Sequence, residues 1–160
     1  MTTARRTARP RARWRARLRG AAADRGSGAI AVVFFALVVL GLAAFVVDGG
    51  LAISQRERAM DIAEQAARYA AQDLDEAALR EGQRPAPINF GNCENRIAEY
   101  AESVGMSADD IAASYCDDAG TAVNQVTVRI RLTYRPVFSG ILFSEPLQVW
   151  GEATAEAQTG

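Results

Sequence analysis

An uncharged stretch near the amino terminus constrains this chain more than any other feature. Residues 26–47 contain no charged side chain, and thirteen of these 22 residues are Ile, Val, Leu or Phe. A helix of that length, rising about 1.5 Å per residue, spans roughly 33 Å, which matches a hydrocarbon core of about 30 Å. We therefore predict a transmembrane helix over residues 26–47, which includes Gly28, Ile30, Val33, Phe34, Leu37, Leu40 and Val47.

The charges on the two sides of this stretch differ strongly. Residues 1–25 contain nine Arg and one Asp, for a net charge of +8, whereas residues 48–160 contain nine Arg and eighteen acidic residues, for −9. The positive-inside rule then predicts a cytoplasmic arm over residues 1–25 and an extracytoplasmic remainder. A cleaved signal peptide is the alternative, but its apolar region usually has about 7–15 residues, so we expect a retained single-pass anchor in the cell membrane. The arginines of the arm suit an anionic membrane surface, and we expect no nucleic-acid partner.

Beyond the span, small apolar residues recur at the spacing of one helix face. They predict an amphipathic, alanine-rich helix over residues 48–82, whose contact face, here called the alanine seam, comprises Ala59, Ile62, Ala63, Ala66, Ala67, Ala70 and Leu74. The neighbour that this seam packs against is either the carboxy-terminal part of this chain or another subunit, and the sequence favours neither. Asp48 is interpreted as the residue at the water boundary. The two glycines after it predict a hinge, because glycine has low helix propensity.

A stretch rich in Gly, Pro and Asn over residues 83–92 predicts the start of a small head domain, residues 83–160. Two short helices are expected, one over residues 95–104 and one beginning after Ser107, which is a suitable N-cap. Strict alternation of apolar and polar residues over 126–134 and 147–156 predicts two strands that pair antiparallel. The predicted fold class is α+β: a transmembrane helix extended by an amphipathic helix, then a small disulfide-stapled head with two short helices and an antiparallel β-hairpin.

Cys93 and Cys116 are the only two cysteines of the chain, and both lie in the part predicted to be extracytoplasmic. In an oxidising compartment such a pair is usually a disulfide, and closing this loop would stabilise the head by about 3 to 3.5 kcal/mol. A zinc site is the alternative, but a chain without histidine would have to complete the tetrahedral shell with carboxylates, which is uncommon. We therefore predict a disulfide and no metal site.

The sequence contains no pattern that indicates catalysis. With no histidine there is no Ser-His or Cys-His arrangement, and no glycine-rich phosphate loop follows a strand. Acidic residues cluster at 73–76, 109–110 and 117–118, but without the spacing of a calcium loop, so we interpret them as solvated surface residues. We predict that the protein is not an enzyme and has no catalytic residue, no cofactor and no small-molecule substrate.

Short motifs around the span resemble the TadE/TadG-like proteins of tight-adherence (Flp-type) pilus and related type IV secretion-pilus systems. They are an Arg-Gly-Ser entry at residues 25–27, an Asp-Gly-Gly exit at 48–50, and the alanine-rich stretch at 59–68. The positions of this sequence that carry the motifs are Arg25, Gly26, Asp48, Gly50 and Glu64. In the last stretch this chain has Met60 and Glu64 where the family often has Gln and Asp.

The resemblance implies a non-catalytic, pilin-like or assembly component of a bacterial adhesion pilus, packed by its helix against other pilin-like subunits. In the resemblance, pseudopilins of the processed kind carry a glutamate a few residues inside the span. Residues 26–47 of this chain contain none. The resemblance is therefore to the unprocessed, TadG-like side of the family, and we expect the amino-terminal arm to be retained. A membrane-tethered binding module for a surface or cell-wall ligand is the alternative function.

Overall fold

The computed structural model describes the backbone of residues 12–85, 87–142 and 144–157, and their side chains from Gly26 onward except at Leu142. The chain divides into two compact units, Met1–Ala43 and Ala44–Gly160. The boundary predicted at residue 83 falls inside the second unit. In chain order the elements are α1 (Ala12–Ala71), α2 (Glu76–Arg80), a 3-10 turn (Phe90–Asn92), α3 (Cys93–Ser103), α4 (Ala108–Ala113), β1 (Tyr115–Ala122), β2 (Gln125–Tyr134), α5 (Ser139–Leu142) and β3 (Leu147–Glu156).

The first unit contains most of the predicted span. Helix α1 from Gly26 to Ala71 is long and apolar enough, by length and composition, to cross a membrane. Large apolar side chains on it are exposed, for example Ile30 at 73% and Leu40 at 66%. The predicted arm, residues 1–25, including Arg25, lies outside the residues whose side chains the structure describes.

A three-stranded antiparallel sheet in the order β1-β2-β3 forms the second unit together with the helices around it. β2 and β3 pair without interruption from Gln125 opposite Glu156 to Tyr134 opposite Leu147, which confirms the predicted hairpin. β1 was not predicted. It pairs with β2 from Tyr115 opposite Arg129, and the pairing becomes irregular after Asp117.

The core of this unit lies between one face of the sheet and α1. Val126, Val128 and Ile130 of β2 are fully buried, in one cluster with all of the alanine seam except Leu74. At Gly151 of β3 the backbones of strand and helix come so close that a Cβ would overlap the carbonyl group of Ala59. The alanines and this glycine are therefore what allow the helix to lie directly on the sheet.

Helix α1 ends at Ala71, whereas the sequence predicted helix through residue 82. Asp73 accepts hydrogen bonds from the Asn92 side chain at 2.5 Å and from Arg96 Nε at 3.2 Å, and Asp75 caps α2 by accepting from the N–H groups of Ala77 and Ala78. Aspartate side chains that bind backbone or distant partners compete with helix formation. Asp73 therefore connects α1 to the head and Asp75 starts α2, so the prediction that these two are merely solvated was wrong, whereas Glu76 of the same cluster is exposed as predicted.

The second acidic cluster also has a structural role. Asp110 is only 4% exposed, and its carboxylate accepts from the backbone N–H of Thr133 at 3.0 Å and from its hydroxyl at 2.6 Å, while Arg131 Nε lies 3.2 Å away. Burial is the largest single influence and raises the pKa of Asp110, but the hydrogen bonds from Thr133, Ser107 and Arg131 together hold that pKa below its usual value. Asp110 thus accepts a backbone hydrogen bond from the part of β2 that extends beyond β1. The prediction that Asp110 is solvated was wrong.

The two short helices and the disulfide agree with the predictions. Gly105, with a φ of 74°, follows the C-terminus of α3. Ser107 Oγ accepts a hydrogen bond from the backbone N–H of Asp110 and so caps the N-terminus of α4. Cys93 and Cys116 form a disulfide between the first residue of α3 and β1, and both are buried. The staple therefore fixes α3 to the strand that the sequence did not reveal.

Candidate functional site

Asp48 is the first charged residue after the uncharged stretch, and it contacts a distant turn. Its carboxylate accepts hydrogen bonds from the backbone N–H groups of Val137 at 2.9 Å, Phe138 at 3.1 Å and Ser139 at 2.6 Å. The bond from Ser139 is the largest cause that lowers the pKa of Asp48 to about 2, ahead of burial, which opposes it, and of the bond from Phe138. The three hydrogen bonds thus favour the charged form of the carboxylate.

The sequence of the turn explains the hydrogen bond from Ser139, which is the first residue of α5, whereas Val137 and Phe138 precede that helix. Pro136 follows the end of β2, and the four-residue helix α5 begins at Ser139. The first N–H groups of a helix have no partner within it, and a carboxylate is a favourable acceptor for them. Asp48 acts as that cap from 91 residues away along the chain. It was interpreted only as a residue at the water boundary, and no local signal could have revealed this contact.

The predicted hinge next to Asp48 is not found. Gly49 and Gly50 are helical, and α1 continues through both to Ala71. A Cβ built on either glycine would meet nothing within 4 Å. The glycines therefore lower the intrinsic stability of the helix at this point without breaking it.

Large apolar side chains remain exposed on both sides of the Asp48 contact. On α1 just before Asp48, Phe45 is 77% exposed and Val47 48%. On the turn, which we call the apolar loop, Val137 is 56%, Phe138 44% and Ile141 80% exposed. All these residues belong to the second unit. The hydrogen bonds of Asp48 therefore join two apolar segments that lie far apart in the sequence.

A second exposed apolar surface is formed by side chains of β1, β3 and α1. Tyr115 and Trp150 contact each other edge to face, with ring centroids 6.2 Å apart, and they are 37% and 45% exposed. Together with Met60, which is 48% exposed, they line a groove of about 460 Å³, and we call these three residues the aromatic surface.

Arg129 lies beside this groove and is held by acidic neighbours. Its Nη2 is 2.8 Å from Glu152, and its Nε is 3.2 Å from Asp117, an ion pair that does not have hydrogen-bond geometry. Asp117 was predicted to be solvated, so this ion pair corrects that prediction too. The groove therefore combines aromatic and methionine side chains with a fixed guanidinium group.

The alanine seam is buried within this chain. Ala59, Ala63 and Ala66 have no exposed surface, and Ile62, Ala67 and Ala70 are also buried. Leu74 is half-buried. Of the two neighbours that the sequence left open, the structure shows the chain's own sheet. The seam is thus not available to another subunit while the second unit is folded.

The chain itself does not cover the remaining predicted positions. Gly26, Gly28 and Gly50 are exposed in α1, as are the predicted span residues Ile30, Val33, Phe34, Leu37 and Leu40. Glu64 is exposed and pairs with Arg68 one turn later in α1. Within the described ranges, no three or more His, Cys, Asp or Glu side chains are grouped so that they could hold a metal ion.

Residues 26–73 match the model of a family described as "Putative Flp pilus-assembly TadE/G-like". The match confirms the resemblance drawn from the sequence. It contains the uncharged stretch, Asp48 and most of the alanine seam, and it ends two residues after α1 does. No curated protein and no solved structure matches the chain.

Proposed function

We propose that this protein is a non-catalytic, single-pass membrane component of a Flp-type (tight-adherence) pilus system. The observation that carries the proposal is the coincidence of two features: the segment that matches the pilus-assembly family, residues 26–73, begins at the first residue of the uncharged stretch. In this proposal the helix anchors the chain, and the second unit acts through contacts with other pilus subunits.

The proposed orientation has the amino-terminal arm in the cytoplasm and the head outside. The net charge of +8 before the span and −9 after it supports this by the positive-inside rule. The disulfide between Cys93 and Cys116 supports it independently, because disulfides persist in extracytoplasmic compartments and are rare in the cytosol.

The contact with other pilus subunits must use a surface other than the alanine seam, which is buried. We assign it to the aromatic surface formed by Met60, Tyr115 and Trp150. Trp, Tyr and Arg dominate binding energy at protein interfaces, and Arg129 is held beside this groove by two acidic residues. Aromatic side chains exposed on a rigid sheet lose little conformational entropy on binding, which favours a protein partner.

Orientation and function are tested in one set of strains that express the full chain with an epitope tag at its carboxy terminus. The tag should fractionate with membranes, resist extraction by alkaline carbonate, and be digested by protease added to spheroplasts. A protected tag would contradict the orientation. Deleting the gene should abolish pili, and normal pili in the deletion strain would refute the pilus function.

The aromatic surface is tested by complementing the deletion strain with Trp150→Ala or Gln148→Ala. Both residues are exposed on the same face of β3, so Gln148→Ala is a matched control for general effects on this strand. We expect fewer pili with Trp150→Ala at an unchanged protein level, and normal pili with Gln148→Ala. Equal piliation in the two strains would show that the aromatic surface is not the contact.

Photo-crosslinking separates this function from the alternative, a lone tethered binding module. A photoreactive residue at position 60 replaces Met60 within the aromatic surface, and one at position 65 replaces Gln65 on another exposed side of α1. A pilus component should give adducts with other single-span subunits from position 60 and not from position 65. Adducts with a cell-wall polymer, and none with pilus subunits, would favour the binding module.

A further inference from the structure

The apolar loop exposes three large apolar side chains within five residues, which is unusual for a water-facing turn. Val137, Phe138 and Ile141 are each between 44% and 80% exposed. Single exposed apolar residues are normal on soluble proteins, but contiguous ones indicate a surface that another phase or molecule covers. The loop is small, so its position decides whether lipid or another molecule covers it.

That position is fixed by Asp48. The loop backbone donates to the Asp48 carboxylate over distances of 2.6 to 3.1 Å, and the uncharged stretch ends one residue before Asp48. If residues 26–47 span the hydrocarbon core, Asp48 lies at its edge. The polar layer beyond that edge is only about 5 to 8 Å thick on each side of the bilayer, so a loop in direct contact with Asp48 falls within this layer.

We propose that the apolar loop is a second membrane contact, in which Val137, Phe138 and Ile141 enter the lipid interface beside the point where the anchor leaves it. The proposal rests on the proposed transmembrane span. The ligand is the bilayer itself, at the boundary between headgroups and acyl chains, where apolar side chains of interfacial segments insert by about 5–10 Å.

The backbone of the loop is suited to a poorly hydrated layer, where unsatisfied polar groups are costly. Three of its N–H groups donate to Asp48, and that of Ile141 donates to the carbonyl of Phe138 at 3.1 Å. The charged residues that flank the loop, Arg135 and Glu145, are both exposed and can remain among the headgroups and water.

The test places one fluorophore at a time on the full chain in liposomes. Cysteine is introduced at Ile141, at Val123 as a matched control, or at Leu40 within the span, and labelled with an environment-sensitive dye without reductant so that the native disulfide stays closed. Val123 is a 59% exposed apolar residue in the β1–β2 turn, and Ile141 is 80% exposed, so neither change disturbs the core. Lipids brominated at different depths serve as quenchers.

We expect several-fold stronger quenching of the label at position 141 than at position 123, strongest with bromine nearest the headgroups. If position 40 is quenched but position 141 behaves like position 123, the anchor stands and the loop contact is refuted. If position 40 is not quenched either, the span is refuted and the loop contact with it. Blue-shifted emission at position 141 without quenching would mean that protein covers the loop, which also overturns the proposal.

Discussion

Replacing Gly151 by alanine tests whether the head and the helix are joined as described. The added Cβ would overlap the carbonyl carbon and oxygen of Ala59 and the backbone nitrogen of Met60. Because these are backbone atoms, no side chain can rotate away. Strand β3 and helix α1 would have to separate by about 1 Å to reach an ordinary contact distance.

The cost of this separation follows from what surrounds it. Ala59 and Ala63 have no exposed surface, so moving the helix opens the alanine seam along its length. Inserting a methyl group into a packed core costs about 1–3 kcal/mol, and we expect the upper end because both sides are backbone. For a unit of this size that loss lowers the melting temperature by about 10 °C.

The assay is thermal unfolding of the full chain in detergent micelles, followed by near-ultraviolet circular dichroism, to which Trp150 and the tyrosines of the second unit contribute. Gly49→Ala is the matched control, since it is the same chemical change in a helix with nothing within 4 Å. That variant should gain about 0.5–1 kcal/mol from helix propensity. Equal melting temperatures for Gly151→Ala and the parent protein would refute the close approach of strand and helix.

Three further predictions concern the disulfide, Asp48 and the amino terminus. Replacing both Cys93 and Cys116 by serine should cost about 3 kcal/mol, measured by chemical denaturation in micelles, because a loop of 23 residues is no longer closed; an unchanged midpoint would contradict this. The pKa of Asp48 is lower in the folded state than in the unfolded state. Its ionised carboxylate therefore stabilises the fold above a pH of about 3.8, and this stabilisation is lost as the pH falls towards about 2. The melting temperature of the parent protein should therefore fall towards that of Asp48→Asn over this window, and a constant difference would refute the assignment. Mass spectrometry of the membrane-extracted chain should find the arm intact, and a mature terminus near Ser27 would show processing instead.

The elements that the sequence predicts correctly are those specified by local pattern. β2 and β3 alternate strictly, and Ser107 and Gly105 carry the chemistry of helix ends within a few residues of each other. β1 lacks such a pattern. Its Asp117 and Gly120 have low strand propensity, and the strand exists because Asp117 pairs with Arg129 and Thr127 donates to the carbonyl of Gly120.

Long-range contacts account for the other differences. Asp73 binds Arg96, 23 positions away, beyond the end of α1, so the uninterrupted helical periodicity could not show the break. Asp48 and Asp110 look like ordinary acidic residues in the sequence, and only the fold supplies the N–H groups that they accept from. A carboxylate next to an apolar stretch identifies a boundary, but not the partner that it binds there.

The burial of the alanine seam bears on how such a chain can enter an assembly. Alanine periodicity is the same whether the neighbour is the chain's own sheet or another subunit, so the sequence could not decide between them. To present the seam to another subunit, the chain would have to expose five alanines and Ile62, which costs about 6 kcal/mol of hydrophobic stabilisation. That is comparable to the whole stability of a small domain, about 5–15 kcal/mol. Under the proposed function, contacts with pilus subunits therefore form around a helix and head that remain joined, and the surface at Trp150 is our proposal for one of them.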